Sequence, residues 1–251
     1  MKPKDRQARI LDIVSREGEV TVEALAELFD LSLETVRRDL QALAETGALH
    51  KVRGGARRIR LTAEGTYRER MVERAGEKAE IGRKLSRIIE DGETIFMDTG
   101  TTTLACADAL AERAGLTVIT NSLRVAQRLG EQAAGHRLFL LGGEYGADNS
   151  QTTGPLAIRQ IGNFRADRAV LTVTALDAES GAMDADFGEA QVARAMIENA
   201  RNTTVLADSG KFGRRAAFGI CRLDEIDVLV SEARPDAPLA AALGAAGVVV
   251  Q

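Results

Sequence analysis

The chain has no tryptophan, two histidines, two cysteines and four prolines among its 251 residues. With aromatic side chains at 4%, a stacking platform for single-stranded nucleic acid is not expected. His50, His136, Cys106 and Cys221 show no ligand spacing, so neither a metal site nor a cofactor is expected. The two thiols are expected to be buried and reduced. No apolar run approaches the roughly 20 residues of a membrane-spanning helix. The opening Met1-Lys2-Pro3-Lys4-Asp5-Arg6 is charged, with no apolar segment after it, so a secretory leader is not expected either. These absences predict a cytoplasmic protein.

Charge is present but unevenly shared. The net charge is −4, yet residues 1–60 carry twelve Lys/Arg against ten Asp/Glu, and residues 61–251 carry 21 against 27. Within 51–60 there are five basic residues and no acid. A small basic face on an acidic molecule grips phosphate locally while the remainder discourages indiscriminate coating of nucleic acid.

That basic region follows three helical patterns. Residues 4–17 carry Ile10, Leu11, Ile13 and Val14. Thr21 is a candidate cap for a second helix with the stripe Val22, Leu25, Ala26 and Phe29. Asp30-Leu31 reads as a tight turn, and Ser32 as the cap of a third helix ending near Gly47. On that helix Leu33, Val36, Leu40 and Leu43 form the apolar stripe, while Glu34, Arg37, Arg38 and Gln41 face outward. Two short helices with so brief a turn make a helix-turn-helix, and an outward Arg pair suits a major groove. The segment 48–53, the Gly54-Gly55 turn and 56–59 then read as a basic hairpin, a wing.

Residues 61–77 read as a linker, helical in part over Tyr67–Val72, and 78–251 as a larger domain opening with a helix over 78–89. Short apolar runs follow at 94–97, 117–119, 138–141, 169–173, 204–206, 228–230 and 248–250. Helical patterns at 102–113, 123–133, 155–161, 186–201 and 237–245 separate most of them. This alternation predicts a mostly parallel sheet with helices on both faces. Ligands of such sheets sit beyond the carboxyl ends of the strands, where Asp98, Gly100, Thr101, Thr102 and Thr103 follow one strand and Thr120, Asn121 and Ser122 the next. Gly142 and Gly143 follow a third strand, and Lys211, in Asp208-Ser209-Gly210-Lys211, a fourth. Hydroxyls, glycine and free amides at helix N-termini suit a phosphate. Lys211 is either a phosphate or carboxylate partner or a plain surface lysine. The carboxylates of Asp184-Ala185-Asp186-Phe187-Gly188-Glu189 either accept sugar hydroxyls or favour a helix start.

The front pattern resembles the DeoR family of bacterial transcriptional regulators. The resemblance rests on Arg6, Ile10, Val14, the run Ser32-x-x-Thr35-Val36-Arg37-Arg38-Asp39-Leu40, and Arg53-Gly54-Gly55-Ala56. It implies that Thr35, Arg37 and Arg38 contact DNA, that Arg6 and Ser32 touch the DNA backbone, and that Lys51 and Arg53 contact it from the wing. It also implies that Asp39 holds an arginine in place. Asp98 to Thr103, Thr120-Asn121-Ser122, Gly142-Gly143 and Asp208-x-x-Lys211-Phe212-Gly213 extend it over the larger domain. What it implies there is an α/β sensor domain, similar in fold to ribose-5-phosphate isomerase, that binds a phosphorylated sugar or related metabolite. One departure is Ala175, where many members have glycine, and it bears on the pocket floor.

The expected protein is thus a winged helix-turn-helix domain (1–60), a linker (61–77) and an α/β effector-binding domain (78–251). It is expected to act as a repressor on operator DNA, as a homodimer or homotetramer because symmetric operators ask for symmetric proteins. The competing expectation is a sugar-phosphate isomerase-like enzyme with a DNA-binding head, using Asp98, Asp177, Asp186, Glu189 or Lys211 for proton transfer.

Overall fold

Local capping chemistry sets the small N-terminal unit. In a computed structural model that describes residues 3–45, 49–52, 54–57, 65–131 and 135–251, it comprises α1 (Pro3–Glu17), β1 (Glu19–Thr21), α2 (Val22–Phe29), α3 (Leu33–Glu45), β2 (His50–Val52) and β3 (Gly55–Arg57). Thr21 Oγ1 accepts the Ala24 N–H at 3.1 Å and starts α2. Asp30, left-handed at φ 51°, ends it by donating its N–H to the carbonyls of Ala26 and Glu27. Ser32 Oγ accepts the Thr35 N–H at 3.2 Å and starts α3.

Ile10, Val14, Leu25, Val36, Leu40 and Leu43 close the core of this unit. Leu33, expected on that stripe, is instead 40% exposed. It occupies the first position of α3, where the stripe runs past the residues packed over Val36 and Leu40. The wing is a three-stranded antiparallel sheet of order β1-β3-β2, so β1 adds a strand that the sequence pattern did not reveal. The proposed end of α3 at Gly47 and the wing positions Ala48, Arg53, Arg58 and Ile59 lie outside the described residues.

The chain divides into two compact units, Met1–Ala63 and Glu64–Gln251. The second opens with α4 (Tyr67–Val72) and α5 (Ala75–Ile88), so α5 starts three residues ahead of the expected helix. There follow β4 (Thr94–Met97), α6 (Thr101–Ala109), β5 (Thr117–Thr120), α7 (Leu123–Gly130), β6 (Arg137–Leu140), β7 (Glu144–Gly146), β8 (Gln151–Thr153) and α8 (Pro155–Ile161). Then come β9 (Ala166–Thr172), β10 (Ala175–Asp177), β11 (Gly181–Asp184), α9 (Phe187–Glu198), β12 (Ala200–Leu206), β13 (Phe218–Cys221), β14 (Val228–Val230), α10 (Ala237–Ala246) and β15 (Val249–Val250).

Seven strands form one parallel sheet in the order β15-β14-β12-β9-β4-β5-β6. Side chains alternate across it, as the twofold strand period requires. Ile95, Met97, Val118, Val170 and Leu206 pack with α5, α6 and α7 on one face. Phe96, Ile119, Ala169, Leu171 and Val205 pack with α8, α9 and α10 on the other. Both thiols, Cys106 and Cys221, are buried and free. A hairpin β7–β8 and an antiparallel sheet β10-β11-β13 stand beyond the carboxyl ends of the main strands. Among the described residues no helix is long and apolar enough to cross a membrane.

Candidate functional site

On the small unit, α3 carries Glu34, Arg37, Arg38 and Gln41 exposed, opposite its buried stripe. The Ser32 and Thr35 hydroxyls lie 2.9 Å apart at the helix start. Lys51 Nζ donates to Gln41 Oε1 at 2.8 Å, tying β2 of the wing to α3. Arg6 does not stand free beside them. Its guanidinium donates twice to the buried Asp39 carboxylate, at 2.5 and 3.0 Å, and Gln7 adds a third bond at 3.1 Å. The pair fastens α1 to α3. Asp39 is thus the residue that holds an arginine, and that arginine is Arg6.

In the larger unit the carboxyl ends of β4, β9 and β12 open into a cleft. Thr99, Thr101 and Thr102 line it where β4 gives way to α6. Gly100 precedes α6 and sits under Thr172 Cγ2, which a Cβ there would approach to 2.4 Å, so glycine lets the α6 turn close onto β9. The first turn of α6 has no side-chain cap, leaving its amides and its positive dipole end for whatever enters. Thr103 is buried and donates to the Gly100 carbonyl at 3.1 Å, steadying the turn from beneath. Asp98 accepts the Thr172 N–H at 2.9 Å and so ties β4 to β9. Burial, reinforced by the charges of Asp184 and Glu189 and opposed by that Thr172 bond, holds the Asp98 carboxyl well above its ordinary range.

The far wall carries both signs of charge. Arg74 meets Asp208 at 3.5 Å and Glu232 at 3.6 Å, and Asp208 also accepts the Gly210 N–H at 2.9 Å. Lys211 and Arg214 line the same cleft from the loop after β12. Glu189, on the first turn of α9, accepts Asn149 at 2.6 Å and Gln151 at 2.5 Å. Burial first, and the charge of Asp184 second, push its carboxyl up to about 7. Lys78 is 5% exposed, and burial lowers its ammonium from the ordinary lysine range, with the charge of Asp208 opposing the shift. Such a site offers cations and helix amides to an anion, and carboxylates to hydroxyls, within one concavity.

Of the residues singled out in the sequence, Thr101, Thr102, Asp184, Glu189, Asp208 and Lys211 line this cleft, with Asp98, Gly100 and Thr103 supporting its floor. Thr120, Asn121, Ser122, Gly142 and Gly143 do not line it. Thr120 Oγ1 accepts the Ser122 N–H at 3.0 Å, Ser122 caps α7, and Asn121 donates to the Thr152 carbonyl at 2.9 Å. Gly142 donates to Gln160 Oε1 at 2.8 Å. A Cβ on Gly143 would stand 2.4 Å from the Thr153 carbonyl, so glycine there serves the β7–β8 hairpin. Ala175 is buried in β10 opposite Met183 and is also absent from the cleft lining.

Of the groups proposed for proton transfer, Asp98, Glu189 and Lys211 gather at this cleft, while Asp177 and Asp186 do not line it. Asp177 accepts Glu179 and Ser180 N–H groups in its own turn, and Asp186 caps α9 through the Glu189 N–H at 2.9 Å. Sequence reasoning missed Arg70, Arg74, Lys78, Thr172 and Thr174 as cleft residues. The three cations recur every four residues, the spacing of an ordinary solvated helix face, and nothing in the pattern marks them as inward.

Residues 6–62 match the DeoR-like helix-turn-helix domain, and residues 73–233 match the DeoR C terminal sensor domain. The glycerol-3-phosphate regulon repressor of Escherichia coli (strain K12) is 33% identical over 94% of this chain and 93% of its own length. The transcriptional repressor AccR of Agrobacterium fabrum is 34% identical over 91% of this chain and 89% of its own. Among solved structures, ribose 5-phosphate isomerase A from Methanocaldococcus jannaschii aligns at a TM-score of 0.40 and 16% identity, covering 54% of this chain and 53% of that one.

Proposed function

The chain belongs to the DeoR family of DNA-binding transcriptional regulators, and we propose that its hold on operator DNA is set by a phosphorylated sugar or related anionic metabolite in the cleft of the larger unit. Arg37, Arg38 and Thr35 of α3 are the proposed DNA-reading residues, with Ser32 at the backbone and Lys51, joined by Arg53, from the wing. Arg6 acts through Asp39 as a positioning residue. Operator symmetry calls for a homodimer or homotetramer working in the cytoplasm, where its DNA is.

One observation carries the effector half of this reading. The uncapped first turn of α6, with Thr101 and Thr102, shares a cleft with Lys78, Lys211 and the carboxylates Asp184, Glu189 and Asp208. A phosphate suits the amides and ammonium groups, and hydroxyls suit the carboxylates. The repressor from E. coli is named for a phosphorylated polyol regulon, which places glycerol 3-phosphate among the compounds to try. The isomerase reading has lost Asp177 and Asp186 to turn and cap duties, and both sequence relatives are named as repressors.

The test begins with duplexes that the protein selects from a random library, titrated by gel shift over a range of salt. Affinity is expected to fall steeply with salt, because phosphate contacts release counterions. Arg38→Ala is expected to lose about 1–3 kcal/mol of discrimination at one base position. Glycerol 3-phosphate, ribose 5-phosphate and hexose phosphates are then added. One of them is expected to move the half-saturation point and to be recovered unchanged. Selection of no duplex defeats the DNA half of the reading, and turnover of a sugar phosphate defeats the sensor half.

A further inference from the structure

Arg74, between α4 and α5, is left-handed at φ 53°, a backbone that a long side chain rarely adopts. Its side chain makes no capping bond to the start of α5. The guanidinium crosses instead to the segments that follow β12 and β14. It donates to Ser209 Oγ at 3.0 Å and stands 3.5 Å from Asp208 and 3.6 Å from Glu232. Glu77, on its own helix, is a looser partner at 3.8 Å. Backbone strain of this kind persists where the surrounding contacts over-determine it, and here the contacts converge on one short turn.

That turn is Ser209–Lys211, and the two carboxylates facing Arg74 hold it by its amides. Asp208 accepts the Gly210 N–H at 2.9 Å, and both oxygens of Glu232 accept the Ser209 N–H, at 3.0 and 3.1 Å. The Lys211 N–H closes the turn on the Asp208 carbonyl at 2.8 Å. Asp208 is buried and Glu232 mostly so. Two such anions on one turn repel, and an arginine fork that reaches both offsets this better than a point charge can. Gly210 supplies the room, since a Cβ there would stand 2.8 Å from Arg74 Nε and 2.8 Å from Asp208 Oδ1. Its φ lies outside the left-handed region, so space and not conformation is what the glycine provides.

Resting on the reading that this cleft binds the effector, we propose that Arg74 is a positioning residue, which clamps the turn Ser209–Lys211 and so presets Lys211 on the cleft wall. Arg74 lines the same cleft, but its guanidinium already faces two carboxylates and a hydroxyl. Its part is to hold the turn, not to take the effector's phosphate. A preset lysine loses less freedom when an anion arrives, so the clamp raises affinity without a contact of its own. It also joins the α4–α5 junction, at the front of the larger unit, to the far wall of the cleft.

Hydrogen exchange and titration calorimetry on the full chain test this, with inorganic phosphate, glycerol 3-phosphate and ribose 5-phosphate as probes. Wild type, Arg74→Gly, Lys211→Ala and the double variant are compared. Glycine takes the left-handed backbone without strain, so Arg74→Gly removes the guanidinium alone. Arg74→Lys keeps one charge without the fork and stands in, with smaller effects, if the glycine variant fails to fold. Without any probe, Arg74→Gly is expected to speed exchange at the Ser209, Gly210 and Lys211 amides by about fivefold. The probe that binds wild type is expected to bind Arg74→Gly about tenfold more weakly. With Lys211→Ala already in place, Arg74→Gly is expected to cost less than about twofold, since no lysine is left to preset. Weakened binding with unchanged exchange at the turn makes Arg74 a direct ligand and overturns the positioning role. Full additivity of the two substitutions overturns it as well, and both results leave the effector reading standing. If wild type binds no probe, the effector reading falls and this inference falls with it.

Discussion

Glu189 takes both amide donors, from Asn149 and from Gln151, on the single atom Oε1. An amide oxygen can accept the same two bonds, so Glu189→Gln removes the charge with little change in shape. The folded carboxyl is pushed from an ordinary value of 4.5 up to about 7 by burial and by Asp184. Between those values the folded protein holds a proton that the unfolded chain gives up, so this group's contribution to stability is lost as pH rises from about 4.5 through about 7. Asp98 is shifted in the same direction. The melting temperature of wild type is therefore expected to fall between pH 5 and pH 8 by more than that of Glu189→Gln, measured by calorimetry. Equal slopes for the two proteins would refute the assignment. The same scale shows why single side chains were hard to place from sequence. Thr120, Asn121 and Ser122 have the chemistry of a phosphate cradle, yet much of it serves the backbone: one oxygen accepts an amide, one amide meets Thr152, and one hydroxyl caps α7. Hydroxyl-rich turns look alike whether a ligand or the backbone uses them.

At the scale of elements, the two glycines of the wing were read together as a turn, but they answer to different forces. Gly54 has φ +82° and open space around a would-be Cβ. Gly55 has no such conformation, but a Cβ there would stand 2.0 Å from the Val20 carbonyl, inside β1 of the sheet. Gly54→Ala is therefore expected to cost about 1 kcal/mol of local strain and to leave a foldable head. Gly55→Ala is expected to part β1 from β3 and abolish operator binding. Circular dichroism melts and gel shifts on both variants check this, and an equal effect at the two positions would contradict it. What sequence made legible among the elements follows from burial. The inner parallel strands are short apolar runs because both sheet faces are covered; the edge strands β6 and β15 keep the apolar run with exposed residues such as Leu140 and Val249, and all seven runs were readable. β7 was not, since Glu144, Tyr145 and Gly146 are all exposed and carry no alternation. β1 is three residues, Glu19–Thr21, paired with Gly55–Arg57 of the hairpin far along the chain, a pairing that no local pattern encodes. The stripe on α3 was legible for its buried members and failed at Leu33, where helix geometry continues but its cover does not.

At the scale of the whole molecule, each compact unit owns its core: Ile10, Leu25, Val36 and Leu40 in one, and the two sheet faces in the other. Separate cores allow separate melting, and a ligand stabilises only the unit that binds it. Operator duplex is expected to raise the transition of the smaller unit, and high salt to erase that rise, because its affinity rests on phosphate contacts. A sugar phosphate at 100 times its dissociation constant adds about 2.7 kcal/mol to the larger unit. For a unit of that size this is roughly 5–11 °C in melting temperature, and salt affects it far less because the cleft's Lys78 and Asp98 are buried. Differential scanning calorimetry with each ligand alone, at two salt concentrations, reads both shifts. Should the sugar phosphate raise the smaller unit's transition instead, the cleft is not where the metabolite is sensed. Should both ligands be added together, linkage requires that whatever weakens operator binding also weakens sugar-phosphate binding by the same factor. The combined shift must then fall short of the sum if the metabolite is an inducer, and exceed it if the metabolite strengthens repression.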